Sequence, residues 1–200
     1  LIHLSPRFYE PTKGEIRIDG IPIEKLKLCD LRKNIGLATQ DVLLYSDTIE
    51  GNIAYGDSNI EKEEVVKFAR YSAASDFISK MPEGYDTVVG ERGVGLSGGQ
   101  KQRISLARAL AVKPSILILD DTTSAVDMET EKQIQKSLRE LDFPCTKLII
   151  AQRISTTKHA DQILVLQDGY IREAGTHEEL LKKKGYYYEL VKLQTGAEEL

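Results

Sequence analysis

The sequence lacks any long apolar run, and this absence bears on membrane insertion. Its longest apolar stretches, such as Ile116-Leu117-Ile118-Leu119, are far shorter than the roughly 18 residues that a membrane-spanning helix needs. No signal-peptide pattern opens the chain. We therefore expect no membrane span within these 200 residues.

Cysteine is also scarce, and the sequence carries no excess of positive charge. The two cysteines, Cys29 and Cys145, are far apart and lack metal-type spacing, which indicates a reduced intracellular setting rather than a disulfide scaffold. The formal net charge is -4, and the basic residues are scattered rather than arranged in a stripe. We therefore expect no nucleic-acid partner.

Short apolar runs without alternation are present instead. Residues 115–119, 146–151 and 163–166 form such runs, which are typical of strands buried on both faces of a parallel sheet. Residues 35–38 predict a further short strand. Because helix-patterned segments separate these strands, the sequence predicts an α/β fold with a largely parallel sheet.

The same patterns divide the chain into three segments. We expect residues 1–43 and 113–200 to form parts of one α/β core, and residues 44–112 to form an inserted helical subdomain. Within that subdomain, the apolar spacing of residues 61–80 predicts a helix. The first residue is Leu1 rather than methionine, so we expect the chain to be part of a longer polypeptide.

The most informative motif is Leu96-Ser97-Gly98-Gly99-Gln100, which directly precedes a run of helical pattern. Glycines allow a close approach of the backbone to a ligand, and a helix N-terminus offers unpaired N–H groups, so the motif suits a phosphate group. Ser97 and Gln100 also fit a capping box that only stabilises the helix start. Glycine lowers helix propensity by about 1 kcal/mol, which argues against a cap alone.

Polar residues follow three of the predicted strands. They are Gln40, the pair Asp120-Asp121 and Gln152. Ligands of open α/β sheets bind beyond the carboxyl ends of the strands. The apolar run before Asp120-Asp121 has the form of a Walker B segment, in which the first acid helps to hold Mg²⁺ and the second polarises water. In the alternative interpretation, both acids only form a turn or cap the next helix.

Together these motifs resemble the nucleotide-binding domain of an ABC transporter. The resemblance is to the exporter type, and in particular to the degenerate-site half of a heterodimeric multidrug exporter. The matching segments occur in family order and cover nearly the whole chain: residues 7–16, Gln40, 48–56, 82–87, 89–93, the signature motif 96–100, the Walker B run 116–121, the loop 124–127 and residues 175–180. The resemblance implies a P-loop NTPase core with a mostly parallel sheet and an inserted helical subdomain, and ATP and Mg²⁺ as cofactors.

Within the chain's own nucleotide site, the resemblance implies four roles. Asp120 is the metal position, and Gln40 contacts Mg²⁺ or water and senses the transmembrane partner. Asp121 and Gln152 occupy the catalytic acid and switch positions.

Further roles face other subunits. The resemblance implies that Ser97, Gly98, Gly99 and Gln100 bind the γ-phosphate of ATP held by a second nucleotide-binding domain. It also implies that Asp127 crosses the dimer interface. The loops at Gln40 and Glu91 would contact the coupling helices of a transmembrane domain, which places the chain at the cytoplasmic face of the membrane.

The chain departs from the family pattern in three places. No G-x-x-x-x-G-K-[ST] phosphate loop, or Walker A motif, occurs. In the family this loop lies immediately before a segment like Leu1–Leu4, so the resemblance implies a chain truncated just after the Walker A motif, with the N-terminal strands and the loop missing. The family usually has Glu where this chain has Asp121, and His where it has Gln152. We therefore expect a weak site of its own in a heterodimer, an active ATPase only in the intact transporter, and an inactive isolated fragment.

The resulting hypothesis is a domain that couples ATP binding and hydrolysis at a dimer interface to substrate export. One alternative is a regulatory nucleotide-binding module without significant hydrolysis, which the substitutions at Asp121 and Gln152 favour. A second alternative is a soluble, non-transport ABC ATPase that acts on DNA or ribosomes.

Overall fold

The computed structural model describes residues 2–90, 93 and 95–196. Residues up to 150 form one compact unit, and residues from 151 onward form a second. Among the described helices, none combines the length and the apolar character that crossing a bilayer requires. The division into three segments predicted from the sequence remains a prediction.

A parallel three-stranded sheet organises the first unit. Its strands are β3 (Ile35–Ala38), β6 (Ile116–Asp120) and β7 (Thr146–Ile150), in the order β3-β6-β7. Both pairings are parallel. The middle of β6 is buried, as its continuous apolar run predicts for a strand covered on both faces. The predicted parallel sheet is thereby confirmed. The predicted burial of residues 146–151 on both faces is wrong, because the side chains of β7 are half-buried or exposed.

Helices and two short strand pairs complete the first unit. The helices are α1 (Leu28–Lys33), α2 (Ile49–Ala54), α3 (Lys62–Tyr71), α4 (Ser75–Ile78), α5 (Gly98–Ala111) and α6 (Met128–Arg139). The antiparallel pairs join β1 (Arg17–Ile18) to β2 (Ile21–Pro22), and β4 (Asp47–Thr48) to β5 (Val88–Val89). The stretch 44–112 is therefore mainly helical but contains one small strand pair.

The sequence prediction of one helix over residues 61–80 is wrong, because the chain forms α3 and α4 there. The break lies at Ala73, whose backbone is left-handed with φ 55°. The Ala74 N–H donates to Ala69 O at 2.6 Å, and the Ala73 carbonyl accepts from Arg103 Nη1 at 2.8 Å. These contacts outweigh the helical periodicity of the local sequence.

Helix α5 packs directly on the sheet. A Cβ built on Gly36 of β3 would come within 2.4 Å of Ala109 O, so only glycine permits this approach. The buried cluster that surrounds α5 combines side chains from the sheet with others from α2 and α3, including Ile53, Phe68 and Leu110. The helix that carries residues 98–100 is thus anchored in the core of the first unit.

Over residues 151–196, the second unit contains a hairpin and three helices. Strands β8 (Ile163–Gln167) and β9 (Tyr170–Gly175) pair antiparallel, and the helices are α7 (Ile154–Thr157), α8 (His177–Lys183) and α9 (Tyr186–Thr195). Residues 163–166 were predicted to be buried on both faces, and this is wrong. Alternate side chains, Leu164 and Leu166, are exposed because β8 buries only one face.

Candidate functional site

The carboxyl ends of two neighbouring strands bring the predicted metal residues to one edge of the sheet. Ala38 of β3 is the register partner of Leu119 of β6. Gln40 follows β3 with an exposed side chain, and Asp120 ends β6 with a half-buried one. Gln40 and the acid pair therefore lie at the edge where ligands of such sheets bind.

Asp121 begins a tight turn away from the sheet. Its N–H donates to Ile150 O at 2.9 Å, and its carbonyl accepts from Ser124 N at 3.3 Å and from Ser124 Oγ at 3.0 Å. Its backbone is left-handed, with φ 48°. Asp and Asn enter this region more readily than longer side chains do, so the turn favours the aspartate found here.

The oxygen donors at this edge fit a particular kind of metal site. Asp120 and Gln40 offer carboxylate and amide oxygens, which hard ions prefer. Across residues 2–90, 93 and 95–196, no group of three or more His, Cys, Asp or Glu side chains could hold a metal by itself. Mg²⁺ commonly binds one or two carboxylates and takes its remaining ligands from phosphates and water. The donor set fits Mg²⁺ of that kind and does not form an all-protein cage.

The start of α5 shows both features that the sequence predicts for residues 97–100. Ser97 is the N-cap: its Oγ accepts from Gln100 N at 3.3 Å, and its N–H donates to Gln100 Oε1 at 2.9 Å. The capping box is therefore formed. In the part of the chain that the structure describes, the N–H groups of Gly98 and Gly99 have no hydrogen-bond partner, as expected for a first helical turn. The helix start can thus be capped and still receive an anion.

One face of this helix start rests on the loop Ser124–Asp127. A Cβ on Gly99 would meet Ala125 O at 2.7 Å, whereas a Cβ on Gly98 would meet Ala125 Cβ at 3.6 Å, an ordinary contact. Gln102, one turn further along α5, donates from Nε2 to Ser124 Oγ and accepts from Ala125 N, both at 3.1 Å. Sequence reasoning missed Gln102, because a glutamine in a helix is usually exposed.

Asp127 is engaged within its own helix. Its Oδ1 accepts from Thr130 N at 2.9 Å and from Glu129 N at 3.1 Å, and its Oδ2 accepts from Thr130 Oγ1 at 2.8 Å. Hydrogen bonds from the Thr130 N–H, and then from its hydroxyl, lower the pKa of Asp127. This N-cap explains why α6 starts at Met128. The side chain of Asp127 is exposed, and its role at a dimer interface remains a prediction.

Gln152 lies in the second unit, beyond the end of β7. Its side chain is exposed, and its carbonyl accepts from Gln194 Nε2 at 2.8 Å. Gln194 Oε1 in turn accepts from Ile154 N at 2.9 Å, so one glutamine of α9 holds this turn. Glu91, the predicted contact for coupling helices, lies outside the described residues. The roles of both residues remain predictions.

A second group that sequence reasoning missed centres on Arg108 of α5. Its guanidinium donates to Asn52 O at 2.7 Å, to Asn52 Oδ1 at 2.7 Å and to Leu43 O at 2.8 Å. It also lies over the stacked rings of Tyr45 and Tyr55, whose centroids are 4.1 Å apart. Burial lowers the pKa of Arg108, but an arginine stays charged at neutral pH. Arg108 thus connects its own helix, α5, to helix α2 and to the segment that follows β3.

Comparison with known proteins gives the family. A family model described as ABC transporter matches residues 1–124. The chain is 54% identical over 191 residues to the uncharacterized ABC transporter ATP-binding protein YknU of Bacillus subtilis (strain 168), a match that covers 96% of this chain and 33% of that protein. It is 50% identical over 194 residues to an ATP-dependent lipid A-core flippase of Syntrophus aciditrophicus (strain SB), with 97% of this chain and 32% of the flippase covered.

A solved structure agrees with these matches. The structure of a bacterial Atm1-family ABC exporter with ATP bound superimposes with a TM-score of 0.93 at 43% identity, over 97% of this chain and 34% of that one. This chain therefore spans about a third of the length of the proteins it matches. The chain belongs to the ABC transporter family, and its α/β fold is the one that it shares with this exporter.

Proposed function

We propose that this chain is the ATP-binding domain of an ABC exporter and works as half of a nucleotide-binding heterodimer. Its signature motif, residues 96–100, binds the γ-phosphate of ATP held by the partner domain. Its own half-site, with Asp120, Asp121 and Gln152, binds Mg²⁺ and ATP but hydrolyses ATP slowly. The observation that carries the proposal is the intact helix start at Ser97, where two glycine N–H groups remain open to an anion.

The weakness of the chain's own half-site follows from side-chain chemistry. Asp121 is one methylene shorter than the usual glutamate, which withdraws its carboxylate by about 1.5 Å. A misplacement near 1 Å can lower a rate on the order of 100-fold. Gln152 can donate a hydrogen bond, but unlike histidine it cannot carry a proton. The left-handed backbone at position 121 favours aspartate over glutamate, which supports the proposal that this half-site works with the shorter acid.

The proposed partners follow from the same assignment. A second nucleotide-binding domain completes both ATP sites, and the coupling helices of a transmembrane domain contact the loops at Gln40 and Glu91. The chain then lies at the cytoplasmic face of the membrane. The similarity to a lipid A-core flippase and to an ABC exporter with ATP bound supports transport as the coupled process.

Steady-state ATP hydrolysis by the intact exporter tests both assignments, the slow half-site of this chain and the signature motif that serves the partner's ATP. Asp121→Asn in this chain should lower turnover by less than about threefold, because the weak half-site contributes little. Gly98→Asp should lower turnover at least about 100-fold, because a carboxylate replaces the phosphate at the helix start. A Cβ at Gly98 makes only an ordinary contact with Ala125, so the first atom of the new side chain fits without a clash.

Asp161→Asn is the matched control, since Asp161 is exposed in the second unit and has no proposed role. It should leave turnover unchanged. Complete loss of turnover in Asp121→Asn would refute the weak-site assignment. Turnover that survives in Gly98→Asp would refute the use of this signature motif by the partner's ATP, and would favour a regulatory module.

A further inference from the structure

Gln102 occupies an unusual position for an uncharged polar side chain. It lies on α5 and only 6% of its surface is exposed. Its amide makes two hydrogen bonds, and both go to the loop Ser124–Asp127 rather than to its own helix. A buried amide with both ends paired to one neighbouring loop specifies how helix and loop sit together.

The chemistry of the two bonds allows only one orientation of the amide. The Ala125 N–H is a donor, so it must face Oε1 of Gln102. Nε2 then faces Ser124 Oγ, which accepts this bond and uses its own proton to donate to Asp121 O. A hydrogen-bonded chain therefore runs from Gln102 through Ser124 to the backbone of Asp121.

The same face of α5 carries the glycines of the signature motif. Gly98 and Gly99 lie four and three residues before Gln102, respectively, which places all three on one side of the helix. Gly99 is in close contact with the Ala125 carbonyl, as the 2.7 Å approach of a built Cβ shows. The glycines thus let the loop come close, and Gln102 holds it there.

We propose that Gln102 is a positioning residue that keeps the signature helix and the acidic turn at Asp121 in a fixed relation. The inference rests on the proposed function, because the signature motif then serves the partner's ATP while Asp121 belongs to the chain's own half-site. One buried amide therefore links the parts of this chain that serve two different nucleotides. Without it, the Ser124–Asp127 loop and the helix start can shift independently.

The test uses the intact exporter with the partner subunit unchanged. Gln102→Leu replaces the amide by an apolar side chain of roughly similar size and removes both bonds. Ser124→Ala removes the bond from Nε2 and the bond to Asp121 O, and the double variant combines the two changes. We expect Gln102→Leu to lower kcat about tenfold with the KM for ATP changed less than about twofold, because positioning acts on the transition state. The double variant should be no slower than Gln102→Leu alone, since both changes break one chain of bonds.

Gln133→Leu is the control, because Gln133 is an exposed glutamine on α6. Its kcat and its melting temperature should match those of the wild type. The proposal would be overturned if the two single substitutions lowered kcat independently, so that their fold-changes multiplied in the double variant. An unchanged kcat in Gln102→Leu would overturn it as well. A lower melting temperature with kcat per folded molecule preserved would also overturn it, since that result describes a purely structural side chain.

A second measurement separates this inference from the proposed function. Amide hydrogen exchange at Ala125 in the nucleotide-free protein should accelerate at least about tenfold in Gln102→Leu and stay unchanged in Gln133→Leu. If the wild-type exporter hydrolyses no ATP, the proposed function fails while the exchange result still tests the bridge. Unchanged exchange at Ala125 in Gln102→Leu would refute the bridge whatever the ATPase result.

Discussion

Replacement of Arg108 gives the sharpest test of how the first unit is held together. Its guanidinium makes three hydrogen bonds of 2.7–2.8 Å to Asn52 and Leu43 and covers two tyrosine rings. Arg108→Met keeps much of the apolar stem and removes the charge and all three donors. Asn52 Oδ1 retains the N–H of Tyr45 at 2.9 Å, so the groups that lose their donor are the Asn52 and Leu43 carbonyls.

The magnitude follows from these losses. Each acceptor left without a partner costs about 1–3 kcal/mol, and the cation–π contact adds about 0.5–2 kcal/mol. Since the site is not wholly shielded from water, we expect Arg108→Met to lower the free energy of unfolding by about 3–4 kcal/mol. Arg108→Lys keeps the charge but not the planar fork, so it should lose about half as much.

Urea unfolding followed by circular dichroism measures these differences. Arg139→Met is the control, because Arg139 is exposed in the last turn of α6. It should change the free energy of unfolding by no more than about 0.5 kcal/mol. The reasoning is refuted if Arg108→Met is as mild as Arg139→Met. It is also refuted if Arg108→Lys is as stable as the wild type, because the fork geometry would then contribute nothing.

Two further predictions concern the helix starts. Gly99→Ala should lower the free energy of unfolding by about 1–3 kcal/mol through its clash with Ala125 O, whereas Gly98→Ala should be neutral or stabilise by up to about 1 kcal/mol. Thermal melting of the two variants checks this, and equal melting temperatures would contradict it. Because the Thr130 bonds hold the pKa of Asp127 below its ordinary value of 3.8, its capping contribution is complete above that pH and is lost as the pH falls through the lowered value. The melting-temperature difference between wild type and Asp127→Ala should therefore shrink below pH 3.8, and a difference independent of pH would contradict the carboxylate cap.

The sequence predicts the strands and the start of α5 better than it predicts contacts between elements. Apolar runs locate β3 and β6, because strands buried on both faces need continuous apolar residues. The run that locates β7 does not give its burial, since the side chains of β7 are half-buried or exposed. The pattern S-x-x-Q locates the start of α5 at Ser97, because capping is a local interaction. These features depend on neighbours within a few residues, which sequence periodicity records.

What the sequence hides are residues whose roles depend on distant partners. Gln102 and Arg108 look like ordinary polar positions of a helix, and their partners lie 23 and 56 residues away for the bonds to Ala125 N and Asn52 O. The break at Ala73 is similarly invisible, since the apolar spacing continues through it while a side chain 30 residues away binds its carbonyl. Long-range hydrogen bonds of this kind leave no local pattern.

The parallel sheet has a consequence for the order in which the chain folds during synthesis. At the edge where β3 meets β6, Ser115 Oγ bonds Asn34 Oδ1 across 81 residues. At typical translation rates, synthesis of these 81 residues takes about 4–16 s, so β3 is made that long before its partner strand β6. The helices α2 to α5 are synthesised in that interval, and α5 covers Gly36 of β3 in the finished structure. Docking of α5 onto β3 can thus cover one face of the strand before its partner strand is made.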